Sequence, residues 1–176
     1  ERPVMNATNI QTHFRTVGQD VDLAASSTKM LIDHLITDGR EIPAFDFNAD
    51  IQIKNGVVLA LSGEQDPRKL LSGQSGTLRA VSLTFTSGGG FTLSGPVSFD
   101  GTGLMNADLS VSFSEATKLG QTIEKIAPEL ASYVAPSLSL AASTAKPGTD
   151  PKIDITIRNG RAAIGIIPLG QIPPVR

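Results

Sequence analysis

Alternation is the feature that most constrains this chain. From Phe45 to Lys54 every second residue is apolar or small: Phe45, Phe47, Ala49, Ile51 and Ile53 on one side, Asp46, Asn48, Asp50, Gln52 and Lys54 on the other. A period of two fits a strand with one buried and one solvated face. It recurs over Asn9 to Thr16, where Ile10, Thr12 and Phe14 alternate with Gln11, His13 and Arg15, and over Val21 to Ala25. It recurs again in Leu104 to Phe113, where Leu109, Val111 and Phe113 alternate with serines. Leu78–Thr86, Gly90–Ser94 and Val97–Asp100 read as further strands, joined by Gly-rich turns at Ser87–Gly90 and Asp100–Gly103. Parallel neighbours need a crossover of about a dozen residues or more, so links this short predict antiparallel pairing.

Three turns punctuate the pattern. Val17-Gly18-Gln19-Asp20 closes a first hairpin. Asn55-Gly56 between apolar runs predicts a second, with Val57–Leu61 as its return strand, because both residues tolerate the positive φ that a tight hairpin demands. Asn159-Gly160 predicts a third near the C-terminus. Ile51–Gly56 and Ile155–Gly160 thus echo one another. Independent use of a favoured turn accounts for the echo more economically than a true repeat.

The period changes in few places. Ser27–Ile36 predicts a short helix, although a loop also fits, with Ser27 or Thr28 as cap, Met30, Leu31, His34 and Leu35 on one side, and Asp38-Gly39 as its stop. Asp66–Leu71 predicts one helical turn with Pro67 at its first position. Leu119, Ile123, Ile126, Leu130 and Tyr133 or Val134 step by three and four, an amphipathic helix with Ser114 as N-cap and Glu115 in its first turn. Pro128 must break it, giving helices over about 115–126 and 128–135. Ser143–Pro151 reads as a polar loop. The expectation is a single α+β domain over 1–176: a largely antiparallel, strongly twisted meander sheet with one broken amphipathic helix packed on a face.

Composition narrows the function. Fifteen basic and 17 acidic residues give a formal net charge of −2 with no long run of either sign, which leaves no electrostatic footprint for nucleic acid. There is no cysteine, which excludes disulfides, thiolate zinc sites and cysteine nucleophiles. The two histidines, His13 and His34, make no metal-binding spacing. Asp46-x-Asn48-x-Asp50 resembles the start of a calcium loop, but Ile51 and Val57 stand where the loop needs Gly and Glu. Gly73-Gln74-Ser75-Gly76 has the wrong spacing for a nucleophile elbow, and Ser87–Phe91 lacks the Gly-Lys-Ser/Thr of a phosphate loop. The reading is of a protein that is not an enzyme and takes no metal and no cofactor. No stretch approaches the length of a transmembrane helix. Glu1 in place of a starting Met suggests a processed piece, with any signal or anchor segment upstream.

The final stretch, Ile164-Gly-Ile-Ile-Pro-Leu-Gly-Gln-Ile-Pro-Pro-Val175, is too densely apolar to alternate. Either it is buried on both faces or it lines an apolar groove. Gly165 and Gly170 permit bulges or close approach, and Pro168, Pro173 and Pro174 stop further pairing at an edge. The groove candidates are Leu119, Ile123, Ile126 and Leu130 from the helix, with Ile164, Ile166, Ile167 and Leu169 from this stretch.

The run from Ile155 to Pro174, aliphatic residues around Asn159-Gly160-Arg161, Gly165, Pro168, Gly170 and Pro173-Pro174, resembles the C-terminal signature of the bacterial family called domain of unknown function 2125. Ala7–Arg15, with His13-x-Arg15, and the region Ser94–Leu109 followed by one helix are similar to it as well. The resemblance spans most of the chain and implies a cell-envelope, periplasmic protein of Gram-negative bacteria, anchored to the inner membrane through an N-terminal segment outside this sequence. It brings no catalytic residues. A more distant architectural likeness is to AsmA-like envelope proteins, whose apolar sheet faces are associated with lipid movement. Three expectations result: a groove for a lipid or other apolar ligand between sheet and helix, a module that binds an envelope protein through a sheet edge, and, least favoured, an enzyme with a dispersed site.

Overall fold

The computed structural model describes residues 5–33, 40–64, 66–129, 134, 136, 138–139, 141, 143, 145 and 149–175. Ten strands form one open antiparallel sheet. β1 (Met5–Asn6) and β2 (Asn9–Val17) lie along the outer edge of the long β3 (Asp20–Ile32), in one continuous register broken only at Ala7-Thr8. From β3 the sheet meanders in chain order through β4 (Phe45–Ile53), β5 (Ser75–Phe85), β6 (Gly90–Phe99), β7 (Met105–Ser114), β8 (Lys152–Arg158), β9 (Arg161–Ile164) and β10 (Ile167–Gln171). Helices interrupt it twice: α1 (Gly56–Leu61) and α2 (Pro67–Leu71) between β4 and β5, and α3 (Ala116–Ile126) after β7. The expected antiparallel sheet with few helices is what the chain forms.

The alternation sorts the two faces. Cross-strand partners Leu23, Ile51 and Leu78 share a face, as do Phe91 with Phe113, Leu93 with Val111, and Val111 with Ile153. This apolar face runs unbroken across the sheet. Its core lies where β4–β8 meet the helices: Phe45, Phe85, Val111, Phe113, Leu119, Leu138, Ala141 and Ile153 pack together, and a smaller cluster of Ala107, Leu109 and Ile157 continues the core. Phe45 and Phe85 meet edge to face at 6.2 Å between centroids, a geometry that favours the ring quadrupoles.

The opposite face is polar and held by ion pairs. Asp22 accepts from Arg15 Nη2 at 2.7 Å and from Arg79 Nη2 at 2.6 Å, and Arg79 Nη1 reaches Asp50 at 3.1 Å. Lys54 pairs with Asp20, and Arg158 with Asp108, each at 2.7 Å. Asp46, Asn48 and Asp50 lie on this extended face, where Asp46 accepts from the Lys29 N–H at 2.8 Å.

Four local expectations are corrected. The predicted helix from Ser27 is strand through Ile32; a bulge between Ser27 and Met30, with Lys29 at φ 49°, shifts the alternation and places Met30 opposite Phe45. Residues 34–36 of that expectation, with His34, lie outside the described residues. Asn55-Gly56 does not close a hairpin. Asn55 takes φ 51° but Gly56 does not adopt positive φ after it, so the chain enters α1, whereas Asn159 and Gly160 both do, at 48° and 76°, and make the predicted tight turn. A Cβ on Gly56 would stand 2.8 Å from that of Val21, so only glycine lets α1 sit this close to β3. The third correction is the N-cap of α3. Glu115, at φ 45°, takes that position and Ser114 ends β7; no side chain caps the helix. Last, residues 90–94 and 97–100, read as separate strands, are one strand, β6, which passes Gly95 at φ 139°. The helix does break after Ile126 and resumes at Pro128-Glu129, but residues 130–133, including Leu130 and Tyr133, lie outside the described residues, as does much of the polar loop from Ser143.

Candidate functional site

The apolar face carries two hollows, one at each end of the strands. The first opens between β6–β9 and α3, with a volume of ≈ 460 Å³. Every described lining side chain is aliphatic or aromatic: Phe91, Leu93, Val111 and Ile155 form the sheet wall, Leu119 and Ile123 the helix wall. The sequence explains this directly. Alternation sends the odd residues of β7 and the even-spaced isoleucines of β8 to one face, and the three-and-four spacing of α3 presents Leu119 and Ile123 back to them. Leu119 is only 1% exposed, which anchors the helix by a burial of about 1.5–3 kcal/mol. The turn before β6 fixes its entry: Gly89 N–H donates to Glu115 Oε2 at 3.2 Å, and Lys118 pairs with Glu115 at 2.5 Å. The Lys118 ammonium and then the Gly89 amide hold the Glu115 carboxyl below its usual range.

Of the residues singled out from sequence, Leu119, Ile123, Ile164 and Leu169 come together around this hollow. Ile126 packs against the same core without lining the hollow. Leu130 lies outside the described residues. Ile166 and Ile167 do not line it; they are 99% and 55% exposed. The dense apolar run is not buried on both faces. It makes a short hairpin, β9–β10, whose Ile164 and Leu169 reach the hollow while its turn projects into solvent. Pro168 does sit in the terminal strand, with a register shift between it and Gly170.

Sequence reasoning missed the second hollow, of ≈ 370 Å³, under α1 and α2. Leu23, Ile51, Leu78 and Phe99 form its sheet wall, and Leu59 and Leu71 its lid. The signal was Val57-Val-Leu-Ala-Leu61: five apolar residues with no polar alternation, too uniform for a half-solvated strand beside water. Among the described residues, no ionisable side chain lines either hollow. His13 lies exposed on the polar face of β2. The described residues hold no cluster of three His, Cys, Asp or Glu placed to bind a metal. No helix among them is long and apolar enough to cross a membrane.

β2 is the other notable surface. All nine of its residues are exposed, Ile10 at 66% and Phe14 at 73%, and among the described residues no strand pairs its outer edge.

The model of one protein family, described as uncharacterized protein conserved in bacteria (DUF2125), matches residues 1–173, and the chain belongs to that family. No curated protein and no solved structure matches the chain.

Proposed function

We propose that this member of the DUF2125 family is a non-catalytic, periplasmic protein of the bacterial cell envelope that holds a lipid or other apolar ligand between its sheet and α3. The observation that carries the reading is the hollow of ≈ 460 Å³, lined among the described residues by aliphatic and aromatic side chains alone. Such a volume lies within the range of small-molecule sites, about 300–1,000 Å³. A wall of hydrocarbon side chains selects for hydrocarbon, since a polar group placed against them would lose its water with little compensation. Leu169→Gln tests it, because Leu169 lines the hollow yet is 39% exposed, so the fold tolerates the change. A fluorescent fatty acid titrated into the wild type should bind, and the variant should bind about tenfold more weakly, one lost Leu contact being worth about 1.5–3 kcal/mol. Equal binding by both, or none by the wild type, counts against the reading.

A second reading, a module that recruits an envelope protein by strand addition, is favoured by the unprotected edge of β2. Capture of an envelope protein by the wild type and its loss in Thr12→Pro would support it; capture by both would not.

A further inference from the structure

The β9–β10 hairpin ends in a turn whose chemistry is at odds with its surroundings. Ile164 and Ile167 pair across Gly165-Ile166, and Gly165 takes φ 57° while Ile166 does not take a positive value. That is the turn type with Gly at its first central position, which matches the twist of the flanking strands. The β2–β3 hairpin uses the same device at Gly18-Gln19, with Gly18 at φ 64°. There the second central residue is a polar, exposed Gln. Here it is an isoleucine, 99% exposed, touching nothing that its side chain helps to fold. Turn positions favour Gly, Asn, Asp and Ser, each for a local reason that Ile does not share. Neither the turn nor the core accounts for Ile166.

The surrounding stretch is equally selective. From Ala162 to Val175 there is no ionisable side chain, although the rest of the surface is laced with ion pairs. Ile167 and Leu169 add exposures of 55% and 39% beside Ile166. The three amount to about two whole side chains, far from the roughly 20–30 residues that each partner of a stable protein interface contributes. A narrow, uncharged, apolar tip fits a deformable apolar phase better than a rigid partner. Interfacial segments sink about 5–10 Å below the headgroups, and a charge at that depth would carry a cost that this tip avoids. Pairing of β10 with β9 satisfies part of the hairpin's backbone before it enters, and Pro168 brings no N–H to satisfy.

We infer that the Gly165-Ile166 turn is a finger that docks the protein on a lipid bilayer, with Ile166 inserted and Ile167 and Leu169 at the interface. Leu169 and Ile164 line the first hollow from the same hairpin. The finger therefore sets the mouth of that hollow against the acyl layer. Docking does not depend on what the hollow holds. A failed vesicle assay would leave the ligand reading standing, and a failed fatty-acid titration would leave docking standing.

The test is flotation of the purified chain with vesicles of phosphatidylethanolamine and phosphatidylglycerol. Ile166→Ser is the informative variant, because serine suits the turn and the side chain it replaces packs against nothing. The wild type should float with the vesicles, and Ile166→Ser should lose about tenfold or more in vesicle affinity while keeping its melting temperature. Gln19→Ser, the same change at the matching turn, should bind as the wild type does. Wild-type protein that stays unbound, or vesicle affinity that Ile166→Ser leaves unchanged, overturns the inference. So does self-association of the wild type that Ile166→Ser abolishes without any vesicle binding, which would make the turn a contact between copies of the chain.

Discussion

Asp22 shows how much of this sheet's polar face rests on single residues. It is 7% exposed, yet it sits on the solvated side of β3, covered by Arg79 and Arg15. Hydrogen bonds from Arg79 first, and from Arg15 second, hold its carboxyl below the usual carboxylate range. Linkage gives the sign: a carboxyl whose pKa is depressed by folding adds stability above its unfolded value, about 3.9, and loses it as pH falls through the folded value. Asp22→Asn should therefore lower the urea midpoint at pH 7, and the gap to wild type should close as the pH is taken below about 4. A gap that stays constant across that window would mean that Asp22 acts through packing alone. Residue scale is also where the sequence is hardest to read. Asn55-Gly56 and Asn159-Gly160 are the same dipeptide after the same strand pattern, yet one opens a helix and the other closes a hairpin. The residues C-terminal to each dipeptide differ in where they go: Leu59 of α1 turns into the second hollow beside Leu23 of β3, while Arg161–Ile164 finds a free edge of β8.

Among the elements, the strands with clean alternation were legible because a half-buried sheet face imposes a period of two and nothing else in the chain does. β4 and β7 needed no tertiary information. β3 was half legible. Its bulge at Lys29 shifts the register by one, so Met30 and Leu31 fall at a spacing that imitates a helix. α3 was legible from its spacing, and its break from Pro128, but its cap was not, since Glu115 reaches the N-cap through a strained φ of 45° and not through a side-chain bond. β10 was hidden by Pro168 and the register shift after it. The edge at β2 matters for function. The Gly18-Gln19 turn makes Val17 and Asp20 a bonded pair, so alternation pairs Arg15, His13 and Gln11 with β3 and turns the N–H groups of Thr16, Phe14, Thr12 and Ile10 outward. Proline is tolerated in an edge strand where its missing N–H faces away from the sheet. Thr12→Pro is thus expected to leave the melting temperature nearly unchanged while removing one donor from the middle of the free edge. A large drop in melting temperature would show that the outward assignment of Thr12 is wrong.

At the scale of the molecule, the apolar face of the sheet is incompletely covered by α1, α2, α3 and the helical residues described after Pro128. Two hollows remain where the cover falls short, at opposite ends of the strands. The sequence announced the apolar face through alternation, and the first hollow through α3 and the C-terminal run. It carried the second only as the uniformly apolar Val57–Leu61, which is compatible with either strand or helix until its neighbours are known. Nor could it separate Ile164 and Leu169, which line the hollow, from Ile166 and Ile167, which do not, because the turn at Gly165-Ile166 and the register shift around Leu169 are set only once β10 pairs with β9. On the reading proposed above, the first hollow holds a hydrocarbon ligand. The most direct measurement is mass spectrometry of the protein purified from a bacterial envelope, first native and then denatured with organic extraction. The account predicts a complex heavier than the bare chain by a lipid-sized mass, which denaturation releases. A bare chain of unchanged mass in both spectra would contradict it.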